Sequence, residues 1–346
     1  MKKAVCYFLK GVVAGIISLV LLSLFSLVYY HPPIAVEQPD GSTNYKLTPN
    51  AKWSYMWEGF GYGTTDSRGY NNAYYPDCTN PDIVFVGSSY LEALQVPEDA
   101  NFVYLLNEKL DLDAVSDNDF QCYNLGISGH FFEVTASNFR YVAEQYKDAK
   151  CIVIETAKVE YSPSELDGML AGSFRSPLEK KGILHETAQK IPYVRLLYKK
   201  LNETMTAKNA GIGLDNPENV SVSEEDNLQI YTEKMNQVLS NIAGLSRQQN
   251  VKPVILLHER FFVDENGNIT LENKQSYKNA FLKCCKANGI AVIDAVSEMI
   301  AHYQNTCEFS YGYSNGVPGE GHLNKTGHQI IADVLYQEID EMEVTQ

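Results

Sequence analysis

The sequence predicts a three-layer α/β/α domain on a parallel five-stranded sheet, preceded by one N-terminal transmembrane helix. Three observations predict it. From Asp82 onward, short apolar β-branched runs alternate with stretches of helical apolar spacing, the pattern of a parallel sheet covered on both faces. The first two runs end in small-residue turns, Gly87-Ser88-Ser89 and Gly126-Ile127-Ser128-Gly129. Residues just past the carboxyl ends of such strands line the crevice where open α/β sheets bind ligands. Third, Gly11 to Tyr30 is an unbroken apolar and small-residue stretch, long enough to cross a hydrocarbon core of about 30 Å at roughly 1.5 Å per residue.

Lys2, Lys3 and Lys10 precede that stretch, and the next charge is Glu37. Basic residues on this side place residues 1–10 in the cytoplasm and the remainder outside. The competing reading is a cleaved signal peptide. The apolar run is longer than a signal core, and Val28-Tyr29-Tyr30-His31-Pro32-Pro33 lacks a small-x-small cleavage site. The expectation is therefore an uncleaved signal-anchor over 11–30 in a single-pass cell-membrane protein. A polar, proline-bearing stalk over 31–52 follows, and then an extracytoplasmic domain over 53–346. Trp53 to Tyr75 is dense in aromatics and glycine without a clear period, and a glycan-contacting surface is one reading of it.

The strands read from the sequence are Ile83–Val86, Cys122–Leu125, Ile152–Glu155, Val254–Leu257 and Ala291–Ile293. Helical spacing marks Asn101–Leu110, Glu133–Tyr146, Lys274–Ala287 and Thr326–Ile339, the last with Asn324 as a good N-cap. The alternation stops over about 161–224, where Pro, Gly and charged residues mix with a short helical piece near Val194–Leu201. An insertion after the third strand belongs over the active-site face, as a lid or docking surface.

The chain carries 28 basic and 43 acidic residues; without the three anchor lysines, 25 remain against 43, a net of −18. That argues against nucleic acid or an anionic membrane surface as a partner, since both demand a basic footprint. The seven cysteines contain no Cys-x-x-Cys spacing. Buried free thiols are the default, and Cys78 with Cys307, both read as loop residues, is the pair to test first for a disulfide.

The chemistry-bearing residues lie in three distant blocks. Ser89 follows the first strand, Gly129 follows the second, and His322 precedes the last helix in Gly319-Glu320-Gly321-His322-Leu323-Asn324. A serine nucleophile, backbone oxyanion donors and a histidine base are the parts that acyl transfer needs. Glu320, two residues before His322, is the nearest carboxylate to orient the imidazole. His130, Lys158 and His258 (with Glu259) fall at strand ends and are candidates to line the substrate. No recognisable ligand spacing calls for a metal, and no cofactor is expected.

At these blocks the chain resembles the SGNH/GDSL hydrolase superfamily, from about Thr65 to Ile339 and in the family's block order. The resemblance implies a flavodoxin-like SGNH fold in which Ser89 takes the nucleophile's place, Ser89 and Gly129 supply oxyanion N–H groups, and His322 is the catalytic histidine. In that family a segment like Trp53–Tyr75 packs onto the domain ahead of the first strand. Two departures stand out. The family's Gly-x-Asn-Asp block is here Thr156-Ala157-Lys158-Val159-Glu160, without the asparagine, and its usual acid position, three before the histidine, is Gly319. Gly-Ser-Ser behind a membrane anchor looks like the D-alanyl-lipoteichoic acid transfer proteins; an acid-x-histidine pair looks like the alginate-type O-acetyltransferases.

That branch implies an extracytoplasmic serine O-acyltransferase that modifies a surface polysaccharide or polymer beside a multi-spanning membrane-bound O-acyltransferase. A missing oxyanion donor typically costs about 10²–10³ in rate, so a weakened hydrolase is expected unless Lys158 or a partner replaces it. The rivals are an SGNH carbohydrate esterase and a catalytically silent glycan-binding protein.

Overall fold

A computed structural model of the chain describes residues 2–37, 45–112, 120–175, 190–210 and 224–338. Helix α1 (Lys2–Tyr29) runs directly into strand β1 (Tyr30–His31). Four short strands follow: β2 (Ala35–Glu37), β3 (Tyr45–Leu47), β4 (Lys52–Tyr55) and β5 (Gly61–Thr64). β2 pairs with β3, and β4 lies between β1 and β5, all antiparallel. The segment expected to be a stalk is thus strand-forming on both sides of residues 38–44, which lie outside the described residues.

The main sheet comprises β6 (Ile83–Gly87), β7 (Cys122–Gly126), β8 (Cys151–Thr156), β9 (Lys252–Leu257) and β12 (Ala291–Asp294), in the order β12-β9-β8-β6-β7 with every pairing parallel. β10 (Phe261–Val263) and β11 (Ile269–Leu271) form a separate antiparallel ribbon. All five strands expected from the sequence are present.

Alternation along the strands divides the sheet between two cores. Ile83 and Phe85 pack with Phe102 and Leu106 of α3 (Phe102–Leu112) and with Ile331 and Leu335 of the C-terminal helix Lys325–Gln337. Val84 and Val86 pack on the other face with Phe139 of α4 (Phe132–Gln145). Helix Glu224–Gln249 joins that second face through Tyr231, Met235, Leu239 and Ile242, an i, i+4, i+8, i+11 stripe. The sequence reading does not include this 26-residue helix, although its stripe is legible. Each such fully buried large side chain is worth about 1.5–3 kcal/mol, which is why both faces must be covered.

Chain order reverses at β6, because the chain crosses to β7 on one side and then returns to β8 on the other. The crevice of such a sheet opens at the carboxyl ends of these strands. Ser88 and Ser89 follow β6 there, and Glu155 and Thr156 end β8 beside them.

Other expectations need correction. Of the insertion, helix α5 (Pro163–Leu170) borders this crevice, but α6 (Pro192–Ala210) packs along α1 and β1 instead; residues 176–189 and 211–223 lie outside the described residues. Of Trp53–Tyr75, the aromatic-rich segment, Phe60 and Tyr62 are exposed, whereas Asp66, Asn71 and Asn72 are buried. Asp66 accepts from the backbone N–H groups of Arg68 and Tyr70, from Asn72 and from the Tyr123 hydroxyl, and Asn72 is tied to Asn124, so this polar segment is buried against β7. Cys78 and Cys307 are both free; Cys78 is buried with its thiol on Gln121, while Cys307 is exposed.

Candidate active site

The turn after β6 is built by close approach. Gly87 stands where a Cβ would lie 2.4 Å from Glu155 Oε2, so no larger residue fits. Ser88 caps the short helix α2 (Ser89–Glu92), accepting from the Tyr90 N–H. Ser89 opens that helix and is 9% exposed at the mouth of the crevice. Its Oγ lies 2.9 Å from His322 Nε2. The structure therefore brings together the two residues, 233 positions apart, that the sequence singled out.

The carboxylate on His322 is not Glu320. It is Glu58, whose Oε2 lies 2.7 Å from His322 Nδ1 and whose Oε1 accepts the His322 backbone N–H, also at 2.7 Å. Glu320 sits between Gly319 and Gly321, both left-handed at φ +81° and +79°, and its side chain is turned out to solvent. Among the described residues its carboxylate has no hydrogen-bond partner. Glu58 comes from the turn between β4 and β5, 264 residues upstream. Asn315, from the loop before the histidine, clamps that turn by accepting from the Gly59 N–H and donating to the Met56 and Gly59 carbonyls. The one signal available in the sequence is that Glu58 is the single charge between Lys52 and Asp66.

Burial pushes the Glu58 carboxyl up, but the hydrogen bonds and charge of His322 outweigh it and hold it below its ordinary value. An ionised Glu58 only accepts, so the proton of a neutral His322 is assigned to Nδ1 and the Nε2 lone pair faces the Ser89 hydroxyl. That is the tautomer a general base requires.

Gly321 carries a direct test. A Cβ there would sit 2.2 Å from Glu58 Oε1, on a backbone that L-residues rarely adopt. Gly321→Ala should displace Glu58 and slow covalent labelling of Ser89 at least about tenfold, with a strain cost of roughly 1–2 kcal/mol. Labelling kinetics with a thermal-melt control measure both; an unchanged rate would show that the Glu58 contact is dispensable.

Gly129 is exposed with φ +83° and open space around it. Among the described residues neither its N–H nor that of Ser89 has a partner, so both are available as oxyanion donors. The loop is tied to α2 through Ser128, whose hydroxyl donates to Glu92 and whose carbonyl accepts from Tyr45. Burial pushes the Glu92 carboxyl up to about 7, against the pull of the Ser128 hydrogen bonds and of His322. A carboxyl raised in the folded state contributes stability below its ordinary value that is lost as pH rises through 7. Glu92→Gln keeps an acceptor for Ser128 but does not titrate. Its stability should therefore gain on wild type between pH 5 and pH 8, by about 3 kcal/mol at most, read as a rise in relative melting temperature. A difference between the two proteins that stays constant across that range would refute the raised Glu92 carboxyl.

The expected substrate-lining residues divide. Lys158 does border the main cavity, of about 800 Å³, together with Ser88, Tyr90, Phe132, Tyr161 and Glu165. Its ammonium is committed to Glu165 at 2.7 Å and Glu133 at 3.7 Å, so it does not stand in as a free oxyanion donor. His258 is fully buried between Glu155 and Tyr311 and cannot line a substrate. Its neighbour Glu259 is likewise buried, paired with Lys278 and Asn273. His130 packs edge-on against Tyr45 and faces a separate narrow cavity under α4; burial pulls its pKa down to about 4.

The site is physically continuous with the apolar helix. Among the described residues one helix, Lys3–Tyr29, is long and apolar enough to cross a membrane. At its end Tyr29 and Tyr30 pack edge-on against Trp57, the neighbour of Glu58, and the Tyr29 carbonyl accepts from the Met56 N–H. The turn carrying Glu58 is thus held by the residues that leave α1.

No protein-family model and no curated protein matches the chain. Solved structures do. An α/β-hydrolase enzyme, LAE5, from the metagenome of Lake Arreo, Spain, is 13% identical, with 76% of this chain and 95% of that one covered at a TM-score of 0.41. An acetyl xylan esterase, AlAXEase, is 14% identical over 74% and 98% at 0.40. A lipase/acylhydrolase from Enterococcus faecalis is 13% identical over 75% and 96% at 0.39.

Proposed function

We propose that the protein is a membrane-anchored, extracytoplasmic serine enzyme of the SGNH type that transfers an acyl group to a hydroxyl of a cell-surface glycan or polymer through an acyl-Ser89 intermediate. The observation that carries this reading is the Ser89–His322–Glu58 alignment, with 2.9 Å and 2.7 Å between successive members. His322 Nε2 takes the Ser89 proton as Oγ attacks the acyl carbonyl, and the Ser89 and Gly129 N–H groups receive the oxyanion. The tetrahedral species expels the donor's alcohol, which leaves with the proton from His322. In the second half-reaction His322 deprotonates the acceptor hydroxyl. That oxygen attacks the acyl-serine, and Ser89 leaves as it regains a proton from His322.

Transfer rather than hydrolysis is supported by the tie between the Glu58 turn and the anchor, which would hold the site at the membrane surface, and by a cavity of about 800 Å³ beside Ser88 and Tyr90 with room for an acceptor. On this reading the protein works beside a partner, a multi-spanning membrane-bound O-acyltransferase, which supplies the acyl ester that Ser89 attacks. A carbohydrate esterase is the second reading, favoured by the orienting carboxylate that Glu58 supplies, since a complete triad removes one reason to expect weak hydrolysis.

The test is to treat the detergent-solubilised full chain with a fluorophosphonate and map the adduct by peptide mass spectrometry. The adduct should fall on Ser89 and be absent from Ser89→Ala. No adduct would leave a silent binding protein, and one elsewhere would remove Ser89 from the mechanism. Partition of an acyl-enzyme between water and an added glycan acceptor then separates esterase from transferase.

A further inference from the structure

Beneath the Ser89–His322 pair runs a second hydrogen-bonded chain that the reaction does not use. Ser88 gives Glu155 Oε2 both its backbone N–H, at 2.7 Å, and its hydroxyl, at 2.9 Å. Glu155 Oε1 meets His258 Nε2 at 2.8 Å, and His258 Nδ1 meets the Tyr311 hydroxyl at 2.7 Å. Tyr311 in turn forms a β-bridge with Leu323, the neighbour of His322. The chain begins one residue before the nucleophile and ends one strand-bridge from the base.

All four members are at most 2% exposed. A buried carboxylate is costly unless its lone pairs are filled, and here three donors converge on it. With Glu155 ionised and His258 neutral, His258 carries its proton on Nε2, and its Nδ1 accepts from the Tyr311 hydroxyl. No member of the chain is left with an open requirement. The Tyr90 ring lies between the two chains, 5.1 Å from His258, 6.0 Å from Tyr311 and 5.4 Å from His322 between centroids.

We propose that Glu155 is a positioning residue of the site, acting through Ser88 on one side and through His258 and Tyr311 on the other to hold the nucleophile turn and the histidine loop in mutual register. The proposal rests on the reading of Ser89 and His322 as the reacting pair. The two loops come from opposite ends of the sequence, so contacts between side chains must fix their spacing. A misplacement of about 1 Å between reacting groups can cost about 100-fold in rate, so a rigid tie between them acts on the chemical step rather than on ligand affinity.

The experiment uses saturable fluorophosphonate labelling of the solubilised full chain, which separates the maximal labelling rate from the half-saturating concentration. Tyr311→Phe deletes the link to His258, and Ser88→Ala deletes the hydroxyl link to Glu155 together with the α2 cap on the Tyr90 N–H; both change the shape little, unlike Glu155→Ala, which would leave a buried hole. Each should lower the maximal rate about tenfold, leave the half-saturating concentration unchanged, and melt within a few degrees of wild type. Because both act through Glu155, the double variant should be slowed no more than about as far as the worse single one, a non-additivity expected of residues in one network. Wild-type maximal rates, effects confined to the half-saturating concentration, or a double variant slowed about a hundredfold would overturn the proposal. Labelling that persists in Ser89→Ala would instead overturn the reading beneath it, and the proposal with it.

Discussion

Replacing His322 by alanine should slow acylation of Ser89 by about 10⁴-fold while the chain still folds. A serine hydroxyl is a weak nucleophile at neutral pH, and a positioned general base contributes about 10²–10⁴. Loss of the histidine from the triad of a serine protease costs about 10⁶, which sets the ceiling. Among the described residues nothing else can take over. His258 has both ring nitrogens engaged by Glu155 and Tyr311, and His130 faces a different cavity. The His322 side chain is about a quarter exposed, so its removal leaves the cores intact. Added imidazole should restore part of the rate by entering the vacated space between Glu58 and Ser89. The measurement is the labelling rate at neutral pH with a melting curve beside it. A variant within tenfold of wild type would remove His322 from the mechanism.

The parts of this site differ in how legible they are in the sequence. Ser89, Gly129 and His322 each stand at the edge of a regular element, and their neighbours announce it: the Ile83–Val86 run ends at a glycine, and Asn324 caps the helix after the histidine. The five strands are legible for the same reason, since each is an apolar run bounded by a change of pattern. Glu58 has no such frame. It sits in a turn between two four-residue strands, and what places it there is tertiary: the Asn315 clamp, the Gly321 close approach and the packing of Trp57 on Tyr29 and Tyr30. A carboxylate two residues from the histidine is near in sequence, but two left-handed glycines turn it away. His258 misleads in the opposite direction. A strand end usually faces the crevice, yet here β9 ends against Tyr311 and Glu155, and the ring is sealed beneath the nucleophile turn.

Glu58→Gln should keep the fold and the exposure of Ser89 yet cut acylation by roughly 10²–10⁴-fold; the upper figure is the cost of the equivalent acid-to-amide change in a serine-protease triad and is a ceiling here. Glu58 now accepts two protons from one residue, on the His322 backbone N–H and on Nδ1. An amide can accept at one of these positions but must present its own N–H at the other. If its oxygen stays on the backbone N–H, the amide donates to Nδ1, which drives the imidazole proton to Nε2 and points it at Ser89. The base is then in the wrong tautomer. Loss of the carboxylate also removes the counter-charge of the imidazolium formed during acylation. The acid limb of the rate profile should move to lower pH even as the maximum falls. Stability offers an independent check of sign. The folded-state pKa of Glu58 is depressed, so its contribution is present above the ordinary carboxylate value and lost as pH falls through the folded value. The gap in melting temperature between wild type and Glu58→Gln should therefore close in acid. Glu320→Gln, made alongside, should stay within about twofold of wild type, because that side chain is solvent-facing. If Glu58→Gln is within about threefold with an unmoved profile, the enzyme runs on a Ser89–His322 dyad and Glu58 only braces the loop; if Glu320→Gln is the slower variant, the orienting role belongs to Glu320.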